Sequence, residues 1–486
     1  MVNNKKTVQT SIKKNYIYNT IYQVLSLITP LITAPYISRV LGSNGVGIYS
    51  YTNSIVTYFT LFAALGTASY GQREIAMHRD DPKASSRLFW EIEILSLTTT
   101  AVSLIVWIVW IFISTQYTTI YGVLTLSVLA VAFDISWYFG GFEKFKYIVI
   151  RNTLVKITGI VLLFLFVKKG TDILLYVGIM SATGLLGNIS MWTYLPKLLT
   201  KVDFKTLHPF KIHLKQTFAY FIPTVATSVY TVLDKTMIGA ITNSEELNGY
   251  YEQATKIIRM IESLLFSLNT VMVSRQSYLF AEGQTEEIKD KINKSFEFLF
   301  VLAVPIMFGI WGAARNFVPW FFGNGYEPVV TLLYLMSPLP VIICISNIMG
   351  SQYLTPSGQR ARSSKGIIVG AVTNFVLNLI LIHKYGANGA TVASVVAECV
   401  ISVIYVHMSK GFVSWQKIFD ALWKKLLAGF MMFVVVLFIG GKHQGSIIIS
   451  VWQVIFGILS YGIMLIVLKD NAVYDALKIV RKKGQE

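Results

Sequence analysis

Residues Phe218–Met272 read FAYFIPTVATSVYTVLDKTMIGAITNSEELNGYYEQATKIIRMIESLLFSLNTVM, and this stretch decides the class of the whole chain. An apolar run is followed by a polar turn, Asn243-Ser244-Glu245-Glu246-Leu247-Asn248-Gly249, and then by a second run of helical character. Two helices crossing a bilayer and joined at one surface give this pattern. The first run carries Asp234 and Lys235 side by side, with Thr224, Thr227, Ser228 and Thr231 on the turns before them. The second carries Lys256, Arg259 and Glu262 at steps of three, which puts them on one helical face. An ionisable group at membrane depth costs roughly 3 kcal/mol unless it is paired or faces water. Five of them in one hairpin therefore mark a functional element. Asp234 stands about 9 residues before the turn and Arg259 about 10 after it, so at about 1.5 Å per residue they lie at similar depth. Asp234 can then pair with Arg259, or Lys235 with Glu262. The competing reading is a purely structural ion pair, or lysines snorkelling to the surface.

The rest of the 486-residue chain follows the same pattern, with 54% hydrophobic and only 14% charged residues. Soluble domains carry about 25% charge. Apolar runs of about 20 residues, each long enough to cross a bilayer, fall near 16–38, 46–68, 88–113, 117–139, 147–167 and 172–195, then near 216–242, 253–274, 295–314, 329–350, 366–383 and 388–408, and finally near 418–440 and 446–468. The expected fold is all-α and polytopic, with fourteen membrane helices. Cys344 and Cys399 sit inside apolar runs and suggest neither a disulfide nor a zinc site. No cleavable signal sequence is expected, because the first run is too long and follows a basic tail with Lys5, Lys6, Lys13 and Lys14.

The net charge of +17 invites a nucleic-acid reading, but its distribution argues otherwise. With fourteen spans, segments on the side of the termini hold 28 Lys and Arg against 6 on the other side. That asymmetry is the positive-inside signature, so both termini are expected in the cytoplasm. The basic charge is then an orientation signal and a contact with anionic membrane lipids, with no nucleic-acid partner. In the C-terminal tail, Val473, Ala476, Leu477 and Val480 share one side, flanked by Lys478, Arg481 and Lys482; an amphipathic surface helix or a frayed polar end both fit. Turn motifs recur at an offset near two hundred residues. Arg39-Val-Leu-Gly42 before Gly45-Val-Gly47 echoes Lys235-Thr-Met-Ile-Gly239 before Gly249-Tyr250, and Lys168-Lys169-Gly170 echoes Lys384-Tyr385-Gly386. Such repeats predict two parallel six-helix bundles with a substrate path where they meet. The expected division is 1–200 for the first bundle, 201–410 for the second, 411–468 for two further helices and 469–486 for a cytoplasmic tail.

Other polar groups fall inside the spans. Asp134 and Arg151 stand where they can pair across a hairpin, while Lys156 lies near mid-span with no acidic neighbour in sequence. A lysine there suits a wet cavity or an anionic ligand. Glu91 and Glu93 lie near the inner interface, where solvation is cheap. Asn374 and Asn378 share one helix face, as do Ala390, Ser394 and Glu398. Oxygens from spans seven, eleven and twelve could surround a monovalent cation or a proton-binding carboxylate, or could simply hydrogen-bond between helices. The six histidines are scattered, no catalytic set stands out, and no phosphate-binding glycine loop of the ATPase type is present. The chain reads as a secondary transporter and not as an enzyme.

Two motifs resemble a known family. Ile37-Ser38-Arg39-Val40-Leu41-Gly42 with Gly45-Val46-Gly47, and Asp234-Lys235-Thr236-Met237-Ile238-Gly239 with Gly249-Tyr250-Tyr251-Glu252-Gln253-Ala254-Thr255-Lys256, look like the polysaccharide (Wzx-like) flippase branch of the multidrug/oligosaccharidyl-lipid/polysaccharide exporter superfamily. The resemblance implies two bundles in a V, alternating access, and a bacterial cytoplasmic-membrane protein. The implied substrate is an undecaprenyl-pyrophosphate-linked oligosaccharide of capsule, exopolysaccharide, O-antigen or teichoic acid type, moved from the inner to the outer leaflet. Arg39, Arg151, Lys156, Lys235, Lys256 and Arg259 are then the candidates to neutralise the pyrophosphate. The related lipid II flippases suggest a sodium site, which maps here to Asp234, Asn374, Asn378, the Ala390 carbonyl and Ser394. That family carries an acid where Asn378 stands, and Glu398, one turn beyond Ser394, can compensate or carry a proton instead. The coupling ion is thus Na+ or H+, with no other cofactor. Polysaccharide polymerase and glycosyltransferase partners follow from the same resemblance. The alternatives are a cation-coupled multidrug exporter of the same superfamily, whose cavity should be acidic or aromatic, and a membrane polysaccharide polymerase, which the short outer loops disfavour.

Overall fold

The computed structural model describes the backbone of residues 2–266, 269–409, 411–441 and 445–474; the side chains of 2–22, 24, 197, 223, 226, 227, 229–231, 269–271 and 274 lie outside that description. The side chains of Lys5, Lys6, Lys13, Lys14, Thr227 and Thr231, and the tail residues Ala476, Leu477, Lys478, Val480, Arg481 and Lys482, therefore lie outside the described residues. Everything regular among the described residues is helical. In chain order the helices are α1 (Val2–Ala64), α2 (Thr67–Met77), α3 (Pro82–Ile113), α4 (Thr118–Ala132), α5 (Ser136–Gly141), α6 (Phe145–Phe166), α7 (Ile173–Met191), α8 (Leu214–Thr242), α9 (Glu245–Leu265), α10 (Asn269–Ala281), α11 (Thr285–Phe322), α12 (Pro328–Met336), α13 (Leu339–Asn347), α14 (Arg360–Tyr385), α15 (Ala387–Met408), α16 (Trp415–Gly440) and α17 (Ile447–Val467). Eleven stretches of the described residues are long and apolar enough to cross a membrane, which makes this a polytopic all-α membrane protein. In hydrocarbon only a helix or a closed barrel satisfies its own backbone polar groups.

Three boundaries depart from the sequence expectation. The turn expected around residues 39–47 shrinks to a single residue: Gly42, at φ 67° and ψ 179°, breaks the continuous run Val2–Ala64. Only glycine adopts that conformation without strain, so one residue does the work of a loop. The polar turn at 243–249 shrinks to Asn243 and Ser244, because α9 already starts at Glu245 and not near 253. The Ser244 hydroxyl accepts from the Leu247 N–H at 3.3 Å, and Glu245 and Glu246 sit in the first turn. Acids placed there are stabilised by the helix dipole, so low hydropathy hid a helix start. The stretch expected as one span at 329–350 forms α12, α13 and a π-helical run, Ile348–Leu354. Pro338 and Pro340 interrupt the regular ladder there.

By its contacts the chain divides into two units, Met1–Thr236 and Met237–Glu486. In the first, one core gathers Ile37, Val46, Trp107, Tyr121 and Val177. A second gathers Tyr70, Phe89, Trp137, Tyr138 and Leu195. The start of α8 is tied into this unit. A Cβ on Gly66, at φ 75°, would stand 2.7 Å from the Thr217 carbonyl oxygen and 2.8 Å from the Phe221 nitrogen, so only glycine lets the two backbones meet. Beside it lies a buried polar chain. The His213 imidazole, 1% exposed, donates from Nε2 to Glu91 Oε2 at 2.9 Å and accepts at Nδ1 from the Tyr70 hydroxyl at 2.7 Å. Glu91 Oε1 accepts from Arg87 Nε and from the His208 N–H, each at 3.0 Å. Glu91 and Glu93, expected at a solvated interface, are 2% and 1% exposed. For Glu91 the reason is the 196–215 segment, which packs over it, as the hydrogen bonds from His208 and His213 show.

The second unit has one large core around Phe296, Phe300, Cys344, Ile348, Tyr405 and Met432. Helices α14 and α15 pack closely because Gly366 and Gly370 leave no Cβ against Tyr405 and Ile401, the small-residue contact usual between membrane helices. Helices α16 and α17 join this unit through polar ties at both ends of α11. At one end, Lys425 of α16, 0% exposed, donates to Glu297 of α11 and to Asp470 Oδ2 just after α17, the latter at 2.8 Å. At the other, Asn316 Nδ2 donates to Ser450 Oγ at 2.7 Å and to the Ser446 carbonyl at 2.9 Å.

Two outcomes follow, both readable by thermal unfolding of the purified protein in detergent. Lys425→Ala leaves the buried Asp470 and the half-buried Glu297 without their cation and should cost about 3 kcal/mol; adding Glu297→Gln and Asp470→Asn should recover part of it, and a single variant as stable as the parent would show that the triad is not a tie. His213→Ala should cost about 1–3 kcal/mol by leaving Glu91 and Tyr70 without their bonds. Combined with Tyr70→Phe the loss should be clearly less than the sum, since both variants remove the same bond.

Candidate substrate and coupling site

In the first unit, four of the six candidate basic residues occupy three helices. Arg39, on α1 three residues before Gly42, is exposed. Arg151 on α6 is half-buried, and its Nη1 donates to the Asn188 side-chain oxygen on α7. Asn188 is itself held, its Nδ2 donating to the Ala130 carbonyl at 2.7 Å. Arg151 Nε is buried without a hydrogen-bond partner. Lys156, a turn and a half further along α6, donates to the Ser26 hydroxyl of α1. Lys235 on α8 is half-buried beside Asp234, which is 6% exposed. The hydroxyl of Thr236, the next residue, lies 2.8 Å from Ser54 Oγ and 3.2 Å from the Tyr58 hydroxyl, both on α1.

One expected pair does not form. Asp134 Oδ1 accepts from the Ser136 N–H at 3.0 Å, and Arg151 turns to Asn188 instead. The short aspartate side chain is satisfied locally because the break between α4 and α5 leaves the Ser136 N–H free. Arg151 therefore meets a neutral amide where a carboxylate was expected.

The second unit holds the other two basic candidates and most of the coupling candidates. Lys256 on α9 lies 3.5 Å from Glu252, one turn earlier, and Arg259 on the same helix is exposed. Glu262 is half-buried. Helices α14 and α15 bring three of the expected oxygen ligands together. Asn378 Nδ2 donates to Asn374 Oδ1 at 3.0 Å, and Asn374 Nδ2 donates to Ser394 Oγ at 3.2 Å. The Tyr251 hydroxyl lies 3.5 Å from the same Ser394 oxygen. Ala390 is fully buried one turn before Ser394. Glu398 is one turn beyond, with the Ser346 hydroxyl donating to its Oε2 at 3.3 Å.

Sodium wants several free oxygens, with a carboxylate to balance its charge. Within this unit the Asn374, Asn378 and Ser394 set is neutral: the Asn378 amide donates to Asn374 and the Asn374 amide to Ser394, so these three residues supply no charge to balance a cation. Asp234, the carboxylate of the expected set, counts with the first unit. Among the described residues no three or more His, Cys, Asp or Glu side chains gather as a metal site.

Reading the sequence missed Asn188, the partner that orients Arg151, and misjudged the depth of Glu91 and Glu93. Glu93 is buried with neither carboxyl oxygen hydrogen-bonded. The only advance signal was the i, i+4 spacing of Arg87 and Glu91.

Comparison with known proteins gives a consistent answer. The family model described as polysaccharide biosynthesis protein matches residues 12–274, just over half of the chain. A putative O-antigen transporter of Escherichia coli is 24% identical over 401 residues, covering 82% of this chain and 96% of that protein. A probable low-salt glycan biosynthesis flippase of Haloferax volcanii is 25% identical over 224 residues, covering 44% of this chain and 46% of that protein. Among solved structures, the lipid II flippase MurJ in an inward closed conformation superposes with a TM-score of 0.71 at 14% identity, over 94% of this chain and 99% of that one. An inward-facing MATE-family transporter of the MOP superfamily gives 0.62 at 12% identity, over 85% and 95%. The chain belongs to the polysaccharide biosynthesis protein family and has the fold of the MOP superfamily, as its motifs led one to expect.

Proposed function

We propose that the protein flips an oligosaccharide linked through pyrophosphate to a polyprenyl lipid from the inner to the outer leaflet of a bacterial cytoplasmic membrane, by alternating access, with both termini in the cytoplasm. The observation that carries this reading is Arg151. Its guanidinium lies within a membrane helix, is held by the neutral oxygen of Asn188, and keeps a buried Nε donor unspent. A forked cation positioned that way suits a phosphate, since arginine offers paired donors with fixed geometry. Arg39, Lys156 and Lys235 add positive charge in the first unit and Lys256 and Arg259 in the second, and the names of the relatives, an O-antigen transporter and a glycan biosynthesis flippase, agree with a saccharide cargo. The lipid tail stays in the bilayer alongside α16 and α17. Glycosyltransferases supply the cargo and a polymerase consumes it. Drug exporters share the fold, but a cationic drug gains nothing from arginine and lysine within the membrane helices.

For the coupling ion we favour a proton over sodium. The set of Asn374, Asn378 and Ser394 is neutral and offers a cation no charge, while Glu398 is an ionisable group on the same helix face as Ser394, bonded to Ser346.

The test is flipping of a pyrophosphate-linked oligosaccharide by the purified protein in proteoliposomes. Losing a charge-assisted bond worth about 1.5–3 kcal/mol, Arg151→Ala should slow flipping about ten- to a hundredfold, and Arg151→Lys should recover only part of the rate. An imposed proton gradient should accelerate the parent, and Glu398→Gln should abolish that response. Undiminished flipping by Arg151→Ala removes the assigned role. A response to sodium alone removes the proton, and drug transport without lipid flipping removes the substrate.

A further inference from the structure

In the second unit three helix connections come together at one end: α8 to α9, α11 to α12, and α14 to α15. They enclose a cleft of about 90 Å³. Its base is Leu332 and Ala387, 1% and 3% exposed. Two tyrosines flank it, Tyr250 and Tyr385. The Tyr250 ring stands nearly perpendicular to the buried Tyr326 ring, at 82° and 5.9 Å between centroids, which fixes its face. Thr331 and Asn388 complete the rim, both exposed. The cleft is preformed. Gly386 turns at φ 55°, and a Cβ there would press on Leu247 Cδ1 at 3.0 Å, so α9 and the α14–α15 turn are in contact.

The lining combines apolar, aromatic and neutral polar side chains. No charged side chain lines the cleft. The Thr331, Tyr250 and Tyr385 hydroxyls and the Asn388 amide make no hydrogen bond with any described residue. A helical threonine ordinarily bonds back to its own helix, so an unused hydroxyl on Thr331 is a spare donor and acceptor. An apolar base flanked by two tyrosines and rimmed by neutral donors and acceptors matches a ligand with one apolar face and polar edges. A pyranose ring has that form, with C–H bonds on its face and hydroxyls round its edge. A pyrophosphate finds no cation here, and a polyprenyl tail would leave four polar groups unsatisfied. The cleft is far smaller than the roughly 300–1,000 Å³ of sites that enclose a ligand, so it can grip one ring of a longer saccharide.

We propose that this cleft is a subsite for one pyranose ring of the transported saccharide. The charge asymmetry of the sequence puts these three connections on the side away from the termini, where the cargo leaves. The flippase reading supplies only the source of the sugar.

The experiment uses the full-length protein in nanodiscs and, as probe, the lipid-free oligosaccharide released by mild acid from the lipid-linked pool of the producing cells. Binding is read by saturation-transfer NMR, and flipping of the lipid-linked form is measured in parallel. Wild type should bind. Tyr385→Ala with Asn388→Ala should weaken binding at least tenfold, and Thr331→Val should weaken it less. Tyr385 is 63% exposed and Asn388 is also exposed, so both variants should fold, with an unchanged melting temperature as the check. Equal binding by wild type and the double variant overturns the subsite. So does a wild type that flips the lipid-linked form but ignores the free saccharide, and that result leaves the flippase reading intact. A wild type that neither flips nor binds overturns both. Binding displaced by phospholipid headgroups and not by saccharide also overturns it.

Discussion

Water does not reach the hydrocarbon core, so a polar group placed there is costly unless protein or a wet cavity answers it. That constraint accounts for most of what this chain does. It explains why helix is the only regular element among the described residues. It also explains why a break in a helix is made by one residue of special conformation, Gly42. And it explains why charged and polar side chains within the helices come in bonded sets: His213 between Glu91 and Tyr70, Lys425 between Glu297 and Asp470, Asn374 between Asn378 and Ser394. Each set joins groups on separate elements or on separate turns of a helix. The polar residues that weaken the apolar signal are the ones that specify the packing.

That is also why some parts of the structure were legible in the sequence and others were not. Length and hydropathy alone reveal α3, α6, α15 or α17, because each is a long apolar run with polar ends. The motif around Asp234 and Lys235 was legible too, as charge where charge is expensive. Other features depend on partners far away in sequence. Arg151 was assigned to Asp134, 17 positions away, but bonds to Asn188, 37 positions away. An amide is an unremarkable letter until the fold brings it to a guanidinium. Glu91 was read as solvated because nothing in α3 shows that the 196–215 segment will cover it. The start of α9 was hidden for a local reason: Ser244, Glu245 and Glu246 look like a loop to a hydropathy scale and like a helix cap to a hydrogen-bond count.

The candidate residues also divide unevenly between the two units. The first holds Arg39, Arg151, Lys156, Asp234 and Lys235; the second holds Lys256, Arg259, Asn374, Asn378, Ala390, Ser394 and Glu398. Helix α8 runs through the division between Thr236 and Met237, so its charged pair belongs to one unit while its last turn belongs to the other. Its first turns are fixed to the first unit by a glycine contact and a buried imidazole, which leaves Asp234 and Lys235 on the section leading from that anchor to the division.

The Lys425 triad bears on how the protein is made. A ribosome delivers α16 to the membrane with Lys425 in its first half, long after Glu297 and 45 residues before Asp470. Until Asp470 emerges, the lysine has one of its two carboxylates, which makes α16 less stable in lipid than its hydropathy alone implies. Docking of the last helices onto the earlier α11 completes the bonds of that lysine. A chain interrupted between α16 and α17 exposes a half-satisfied charge, which gives membrane quality-control proteases a physical mark by which to recognise unfinished copies.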